Sequence, residues 1–317
     1  MAFSYATNEH LVRANLWSAQ LKEVLLDELF ATKYVDLITD FPDGDTLNIP
    51  SIGQAEVQDY VENAAIRYTG MDTGNFTFTI DQYKSSATYI TERMKQDSYV
   101  MSKLVASFVP KQHRAIAKEM EVKVLDTGPS AQTASNLNSI NGASHRWVTA
   151  GASQVMQVND FAKARFSLAK ANVPLTNLVA IVDPSVGYAM DTISNLTSMQ
   201  NNPMWDGIVS TGMSTGTTFI KNIYGFDVYV SQNLKQITAG ETVNSVAVNT
   251  SGVANIFFSA TADVLPFVGC IRQPPKVDSD YNKDLQREEY VTTCRYAYKL
   301  FRPENLIVVL SATDQVA

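Results

Sequence analysis

The sequence has few of the residues that build metal sites, disulfide networks and catalytic centres. Its 317 residues include two cysteines, Cys270 and Cys294, and three histidines. Two cysteines cannot form the disulfide framework of a small secreted scaffold, and their spacing matches no zinc motif. These shortages favour a reducing compartment, so we expect the chain to be made in a cytoplasm.

Long apolar stretches are also missing. The longest clean apolar runs, such as Leu178–Val182, have the length of a strand, whereas a membrane-spanning helix needs roughly 20 residues. The first ten residues lack a basic segment followed by an apolar one, so we expect no secretion signal and no membrane partner. With 45% hydrophobic and 18% charged residues, the composition is typical of a globular protein with one large or two modest domains.

Catalytic motifs are scarce in the same way. Gly212–Gly216 fits G-x-S-x-G, the pattern of the nucleophile elbow in hydrolases, with Ser214 as the candidate nucleophile. That chemistry needs a helix after the serine and a histidine further along the chain, but residues 217–223 have a strand pattern and every histidine precedes Ser214. We therefore predict a structural or interaction role without a catalytic, cofactor or metal site. A soluble hydrolase using Ser214 is kept as an alternative.

The net charge of −7 is concentrated near the N-terminus. Residues 1–90 hold 13 acidic and 5 basic side chains, and the remainder of the chain is nearly balanced. An extended phosphate-binding surface needs clustered Lys and Arg, so this distribution argues against one. Two interpretations stay open: the acidic segment serves solubility, or it meets a complementary partner surface.

The N-terminal third predicts a helix followed by a hairpin. Residues 9–30 carry apolar side chains at helical spacing. Between residues 46 and 90 the pattern changes to two strands, around Leu47–Ile52 and Phe76–Ile80, separated by an acidic stretch with glycines. A hairpin of this kind has little core of its own and is marginal in water, so we expect it to lie on something else.

Residues 97–126 have a helical pattern that we expect to be divided at Pro110 and stopped by Gly128-Pro129. We expect Asp97 to cap the first piece. In the second piece, three apolar residues recur every four positions and form one face: Ile116, Met120 and Val124. Three basic residues project from roughly the opposite side, at i, i+3 and i+7, with Glu121 partly offsetting their charge: Lys111, Arg114 and Lys118.

The second half of the chain mixes helices and strands, which predicts an α+β fold. Residues 127–150 are rich in small and polar residues and look like a domain boundary, with Asn141-Gly142 as a turn. Helices are expected at about 159–171 and from Asp183-Pro184 to about 195. Strands are expected at 178–182, 219–223, 226–230 across a Tyr224-Gly225 turn, 255–259, 267–271, 290–300 and 306–310.

This order of segments resembles the major capsid proteins of tailed bacteriophages, which share the HK97-like fold. Gly207-Ile208-Val209 and Phe219–Leu234 are similar to that family's G-x-I…G-F-x-V-x-x-S-x-x-L pattern. Residues 162–184, with an N-V-P and a V-x-P sequence, resemble its helix and following strand, and residues 298–310 around Arg302-Pro303-Glu304 resemble its closing strand pair. The resemblance covers nearly the whole chain.

The resemblance implies a division into four parts. Residues 1–45 correspond to the N-terminal arm and 46–90 to the E-loop, an extended hairpin. Residues 91–127 together with 261–317 correspond to the peripheral domain, whose spine helix covers about 110–126. Residues 128–260 correspond to the axial domain.

The same resemblance implies the partners. We expect hexamers and pentamers of an icosahedral shell around double-stranded DNA held without sequence specificity, with a portal and, in some members, decoration proteins. Some members carry a scaffolding segment ahead of the arm; this sequence reaches its arm helix within ten residues, so we expect a separate scaffolding protein. An encapsulin, a cellular compartment of the same fold that encloses cargo protein, is kept as an alternative.

Two further expectations concern contacts between subunits. Some family members cross-link through an E-loop lysine, but this sequence has no lysine between Lys33 and Lys84, which argues against covalent cross-linking. The acidic hairpin of one subunit is expected to cross the basic helix face of the next. The candidate contact residues are Asp59, Glu62 and Asp72 on the hairpin and Lys111, Arg114 and Lys118 on the helix.

Overall fold

A computed structural model describes most of the chain. The described residues are 29–39, 44, 46–52, 57–63, 65, 70, 73–97, 101–132, 139–192, 219–243, 246–248 and 251–312. The predicted arm helix at 9–28, the residues after 192 in the second predicted helix, and the Ser214 motif lie outside them.

The chain forms four α-helices and seventeen strands in the described residues, with short 3₁₀ turns between them. The helices are α1 Glu92–Asp97, α2 Met101–Ala131, α3 Val158–Lys170 and α4 Pro184–Thr192. The strands of five or more residues are β2 Thr46–Ile52, β3 Thr73–Thr79, β4 Gln82–Thr91, β8 Leu178–Val182, β9 Phe219–Ile223, β10 Phe226–Val230, β14 Gly252–Ser259, β15 Phe267–Asn282, β16 Arg287–Leu300 and β17 Ile307–Ala312. The short strands are β1 Val35–Leu37, β5 Ser139–Ile140, β6 Ala143–Ser144, β7 Arg146–Val148, β11 Gln236–Ile237, β12 Thr242–Val243 and β13 Val246–Ala247.

The larger sheet has the order β7-β17-β14-β8-β10-β9, with β11 added beside β14. Its inner strands β8, β14 and β17 are buried at every residue, which fits strands that are covered on both faces. One face packs on helices α3 and α4 through Phe161, Leu168 and Met190, and Phe257 points to this side. The predicted mixture of helices and strands in this part of the chain is confirmed.

The predicted turn between β9 and β10 is confirmed at the level of single residues. Tyr224 and Gly225 both have positive φ, 50° and 85°. A two-residue hairpin turn with both central residues left-handed matches the twist of its strands, and glycine adopts that conformation without cost. The antiparallel register Phe226–Ile223 follows directly from this turn.

The smaller sheet has the order β1-β15-β16-β4. Strands β15 and β16 form a long antiparallel hairpin that extends to the pair Asn282–Arg287, and β4 pairs antiparallel with β16 from Gln82–Tyr296 to Thr91–Arg287. The strands predicted at 267–271 and 290–300 are therefore correct in place but too short. Their outer halves are polar and half-exposed, so they lack the apolar run that marked the inner halves.

Helix α2 runs without interruption for 31 residues from Met101 to Ala131, with Pro110 and Pro129 inside it. The predicted division at Pro110 and stop at Gly128-Pro129 are wrong. A proline removes one backbone hydrogen bond from a helix, and burial of the following turns against both sheets outweighs that loss. The helix continues past Gly128, since the Gln132 N–H donates to the Gly128 carbonyl at 3.1 Å.

The buried side of α2 joins the two sheets. Four apolar residues of α2 lie in one cluster with residues of both sheets and of the N-terminal segment, residues 29–39. The α2 residues are Ile116, Met120, Val124 and Leu125, and their neighbours are Ile256 and Phe258 of the larger sheet, Tyr296 and Tyr298 of the smaller sheet, and Phe30, Ala31 and Val35 of the N-terminal segment. The apolar face predicted from spacing by four is confirmed. The two sheets share this core, so the large and small sheets are held by one helix.

The last strand lies in a different sheet from the one before it. We grouped residues 298–310 as a closing strand pair of the peripheral domain, but β16 belongs to the smaller sheet while β17 lies between β7 and β14 in the larger one. All six residues of β17 are buried, which an interior strand requires and an added edge strand would not. Residues 303–305 form the 3₁₀ turn that carries the chain between the sheets.

The two predicted strands of the hairpin are confirmed, but the paired ribbon ends before the end of the segment 46–90. Strands β2 and β3 pair antiparallel from Thr46–Thr79 to Ile52–Thr73 as a separate two-stranded ribbon. The next strand, β4, was assigned to the E-loop, but it is the edge of the smaller sheet. Its pairing with β16 over ten residues fixes it there, so the ribbon ends at residue 79.

Substitution of Gly269 tests how closely the N-terminal segment packs on the smaller sheet. A Cβ at this position would lie 2.5 Å from Tyr298 Cδ1 and 2.8 Å from Val35 Cγ1. We expect Gly269→Ala to lower the free energy of unfolding by about 1–3 kcal/mol, because these buried neighbours must shift. Gly70→Ala is the matched control, since a Cβ there meets nothing within 4 Å. Circular dichroism during chemical unfolding measures both, and equal stabilities would refute the tight packing.

Candidate assembly surfaces

The N-terminal segment is held on the body of the protein by a buried carboxylate. Glu121 of helix α2 accepts hydrogen bonds from the Phe30 N–H at 3.2 Å and the Ala31 N–H at 2.8 Å, one on each carboxylate oxygen. These N–H groups open the 3₁₀ turn 31–34, where backbone donors have no partner inside the turn. Glu121 therefore satisfies the start of the turn as a capping side chain would.

Burial and hydrogen bonding act on Glu121 in opposite directions. Burial raises the pKa of its carboxyl, and the backbone N–H groups of Ala31, Phe30 and Thr32 and the charge of Arg114 partly counter that rise. We predicted that Glu121 would sit on the exposed basic face of the helix, and that is wrong. Its side chain is fully buried because the N-terminal segment covers it.

Strand β1 continues the attachment of the N-terminal segment. Residues 35–37 pair in parallel with the start of β15, from Val35–Phe267 to Leu37–Gly269, and the Ile38 N–H donates to the Gly269 carbonyl at 2.8 Å. The segment thus becomes an edge strand of the smaller sheet. Sequence patterns did not indicate this strand, because three residues are too few to show a period.

The base of the hairpin rests on the smaller sheet of its own chain. Phe78 is fully buried in a cluster with Ile80, Val268 and Ala297, and Phe76 packs edge-on against Phe301 at 4.9 Å between ring centroids. The Lys299 ammonium also donates to the Thr77 carbonyl at 3.1 Å. The expectation that the hairpin needs a support is met at its base.

The far part of the hairpin exposes both apolar and acidic side chains. Val57, Tyr60 and Val61 are 94%, 77% and 62% exposed, and Asp59 and Glu62 are exposed beside them. Asp72, the third acidic candidate, lies outside the described residues. Apolar side chains of this size grouped on one exposed segment are typical of a surface that meets a partner.

The basic candidates lie on the helix as expected. Lys111 and Lys118 of α2 are exposed and Arg114 is half-buried. Among the described residues, no ion pair joins Asp59 or Glu62 to these side chains within one chain. The contact between these acidic and basic residues of neighbouring subunits stays a prediction.

The outer end of the smaller sheet carries a charged cluster that the sequence did not suggest. Lys95 of α1 forms an ion pair with Glu288, while Arg287 donates to Glu289 at 2.6 Å and lies 4.6 Å from the centre of the Tyr89 ring. Lys95 lowers the pKa of the Glu288 carboxyl, and Arg287 does the same for Glu289. The adjacent glutamates point to opposite faces of the strand, so they do not form a carboxylate pair for catalysis.

The described residues offer little for chemistry. No group of three His, Cys, Asp or Glu side chains in them could hold a metal ion, and no helix in them is long and apolar enough to cross a membrane. His145 is buried, and burial lowers the pKa of its imidazole. Cys270 and Cys294 are buried free thiols.

Comparison with known families gives a direct result for this arrangement. A family model described as phage capsid protein matches residues 75–309, about three quarters of the chain. The chain belongs to the phage capsid protein family. No curated protein matches the sequence.

Solved structures agree with this membership of the capsid family. A structure of Mycobacterium phage Che8 has a TM-score of 0.68 at 16% identity and covers 94% of this chain and 97% of its own. The capsid of cyanophage P-SCSP1u has a TM-score of 0.68 at 12% identity, covering 96% and 94% of the two chains. The capsid of Ralstonia phage GP4 has a TM-score of 0.64 at 9% identity, covering 95% and 96%.

The predicted fold and role of this capsid protein are confirmed. It has the HK97-like fold and is a structural major capsid protein of the tailed-phage type, which assembles into an oligomeric shell. No finding favours the encapsulin alternative. The structural role of the family does not favour the hydrolase alternative either, and Ser214 lies outside the described residues.

Glu121 can be tested by truncation. We expect Glu121→Ala to lower the free energy of unfolding by about 1–3 kcal/mol for each buried N–H it leaves without an acceptor. Glu119→Ala, two residues earlier on the exposed side of the same helix, is the matched control: it removes only the exposed ion pair with Lys84, about 0–1 kcal/mol. Chemical unfolding of both variants measures the difference, and similar losses would contradict the anchoring role.

The pH dependence of stability tests the same carboxylate. Because its pKa is raised in the folded state, Glu121 contributes stability that is fully present below its ordinary pKa of 4.5 and is lost as pH rises through the raised value. Glu121→Gln removes this dependence. Unfolding curves from pH 4 to pH 8 should show the parent losing stability relative to the glutamine variant, and a pH-independent gap would argue against it.

Proposed function

We propose that this protein forms the icosahedral head shell of a tailed phage that packages double-stranded DNA. The observation that carries the proposal is the family match over residues 75–309, supported by fold similarity along almost the whole chain to phage capsids. Hexamers and pentamers build the shell in the host cytoplasm. A portal and a separate scaffolding protein take part, and DNA is held without sequence specificity.

Electron microscopy of particles purified from cells that express this chain with its neighbouring phage genes tests the proposal. Closed shells containing nuclease-protected DNA are expected. Shells that instead enclose a cargo protein would support the encapsulin alternative, and the absence of any closed particle would refute the proposal.

The structure suggests how the parts of the subunit divide this work. We propose that residues 1–45 act as the N-terminal arm and that the E-loop covers 46 to about 80. The smaller sheet with α2 as spine helix then forms the peripheral domain, and the larger sheet forms the axial domain. This moves residues 82–91 out of the E-loop and β17 into the axial domain, following the sheets to which they belong.

The E-loop is the best candidate for a contact between neighbours. Its base packs on its own subunit through Phe76 and Phe78, while Val57, Tyr60 and Val61 remain exposed further out. No described residue of the chain covers these side chains, and in a shell another copy is available to do so. Obligate interfaces bury about 2,000 Å² or more in total, so this contact is one of several.

Charge complementarity determines which two surfaces meet in this contact. Asp59 and Glu62 lie next to the exposed apolar residues of the E-loop, and Lys111 and Lys118 project from the spine helix. One exposed ion pair contributes about 0–1 kcal/mol, so apolar burial supplies most of the affinity. Charge pairs repeated around each capsomer select the crossing of an E-loop over a neighbouring helix against other placements.

A charge exchange tests this contact. Lys111→Glu with Lys118→Glu should weaken assembly, most strongly at low salt, where repulsion from the E-loop acids is least screened. Adding Asp59→Lys with Glu62→Lys should restore part of it, because the complementary pairs return with their signs reversed. Particle yield after sedimentation at two salt concentrations is the measurement. Assembly of the helix double variant at the parent's level under both conditions would show that the contact is not electrostatic.

Covalent cross-linking between subunits is not expected. No lysine lies between Lys33 and Lys84, and the Lys84 ammonium is held by Glu119 at 2.8 Å on the spine helix. Mature particles should therefore dissolve to one band near the chain mass of 34.9 kDa on a denaturing gel. A ladder of covalent multimers formed without added reagent would refute this expectation.

A further inference from the structure

Strand β4 is an open edge of the smaller sheet. It pairs only with β16 over its ten residues, without a bulge, and no strand in the described part of the chain pairs with its outer side. The opposite edge, β15, is covered by the three-residue strand β1 only over Phe267–Gly269, and its remaining residues contain two prolines, two register shifts and several charged side chains. β4 is therefore a long, regular edge of the described structure with one row of backbone N–H and C=O groups that no described strand pairs.

This edge lacks the features that usually prevent pairing with another chain. Natural sheets protect long edges with proline, bulges or charged side chains. β4 contains no proline, and its one charged residue, Lys84, is turned toward Glu119 of helix α2 at 2.8 Å. Thr88 is turned the same way, since its hydroxyl accepts from Gln112 at 3.0 Å. Even-numbered residues thus face the helix, and an added strand would extend the sheet without displacing it.

The sequence of β4 has a tyrosine on either side of a centre of small residues. The seven residues centred on Ser86 are Tyr83-Lys84-Ser85-Ser86-Ala87-Thr88-Tyr89. A tyrosine stands three residues to either side of the centre, 64% and 58% exposed, and the small exposed residues Ser85 and Ala87 flank it. A contact about a two-fold axis requires a patch that is complementary to itself, and the residues at equal distances from Ser86 are compatible: tyrosine with tyrosine, and serine with alanine.

We propose that β4 pairs antiparallel with β4 of a second copy of this chain, about a two-fold axis through Ser86, so that two smaller sheets join into one of eight strands. In this register Tyr83 of each copy lies opposite Tyr89 of the other, Ser85 lies opposite Ala87, and Ser86 meets its own copy. Aromatic pairs directly across neighbouring strands stabilise such sheets. Lys84 faces Thr88, so no like charges oppose each other.

The second copy is the occupant because the protein assembles into a shell. This inference rests on the proposed shell, in which each subunit has neighbours of the same sequence. A two-fold pairing uses the same strand twice, so each favourable pair, such as Tyr83 with Tyr89, forms twice across the axis. The contact differs from the E-loop crossing, which joins two unlike surfaces.

Single cysteine substitutions show which residues of the two β4 strands lie opposite each other in assembled particles. Ser86→Cys should give a disulfide-linked dimer on mild oxidation, because residue 86 meets itself. Ser85→Cys and Ala87→Cys alone should link at least about tenfold less, since each lies opposite the other residue and its own copy is a diagonal neighbour. The double variant Ser85→Cys with Ala87→Cys should link again. The native thiols are buried and do not compete.

Ser279→Cys, on the exposed surface of β15, is the control for chance collisions. Peptide mapping should find residue 86 joined to residue 86. Normal particles in which the residue 86 variant links no more than this control, or links to a different segment, would overturn the inference while leaving the proposed shell intact. If the parent chain forms no particles at all, the proposed shell fails instead.

A charge pair decides the matter if a cysteine variant does not assemble. Ser85→Lys with Ala87→Lys places two lysine pairs across the axis and should reduce particle yield about tenfold. Ser85→Glu with Ala87→Lys makes the same number of changes on the same exposed face but pairs opposite charges, and it should assemble at close to the parent's yield. Equal yields of the two variants, whether both high or both low, would overturn the pairing, with circular dichroism confirming that each subunit is folded.

Discussion

The buried side of helix α2 is the constraint on which the arrangement of the subunit depends. Ile116, Met120 and Val124 lie in one apolar cluster with residues of both sheets, and Glu121 holds the N-terminal segment through two backbone hydrogen bonds. An unpaired carboxylate in such a position would be costly, so the segment must stay in place for the helix to pack well. The positions of both sheets and of the N-terminal segment are consequently set by residues 116–124, about two and a half turns of helix.

Local patterns predicted the elements that depend on local causes. The strand 178–182, the turn at Tyr224-Gly225 and helix α3 were found because apolar runs, turn residues and helical spacing lie within a few residues of one another. The unbroken passage of α2 through Pro110 and the place of β17 in the larger sheet were missed. Both are decided by contacts between residues far apart in sequence, which no local pattern contains.

The candidate contact residues also divide into those whose exposure depends on local sequence and one residue whose burial depends on distant contacts. Exposure of Lys111, Lys118, Asp59 and Glu62 followed from their sequence surroundings, because a charged residue on a polar face stays in water. Glu121 has the spacing of that basic face, but its side chain is buried. The residues that cover it lie some 90 positions earlier. A buried carboxylate of this kind has a weak sequence signal: a single acid flanked by Met120 and Val124 of the apolar face.

The β2–β3 hairpin is attached to the body at its base, so a small rotation of the base produces a larger displacement of its far end. Strand β3 passes into β4 through Ile80 and Asp81, and the Phe76 and Phe78 rings fix its base to the smaller sheet. A strand of seven residues is about 23 Å long, so a tilt of about 10° at the base displaces its far end by about 4 Å. Small rotations of the smaller sheet, such as those between differently curved regions of a closed surface, are therefore magnified at the segment that carries Tyr60.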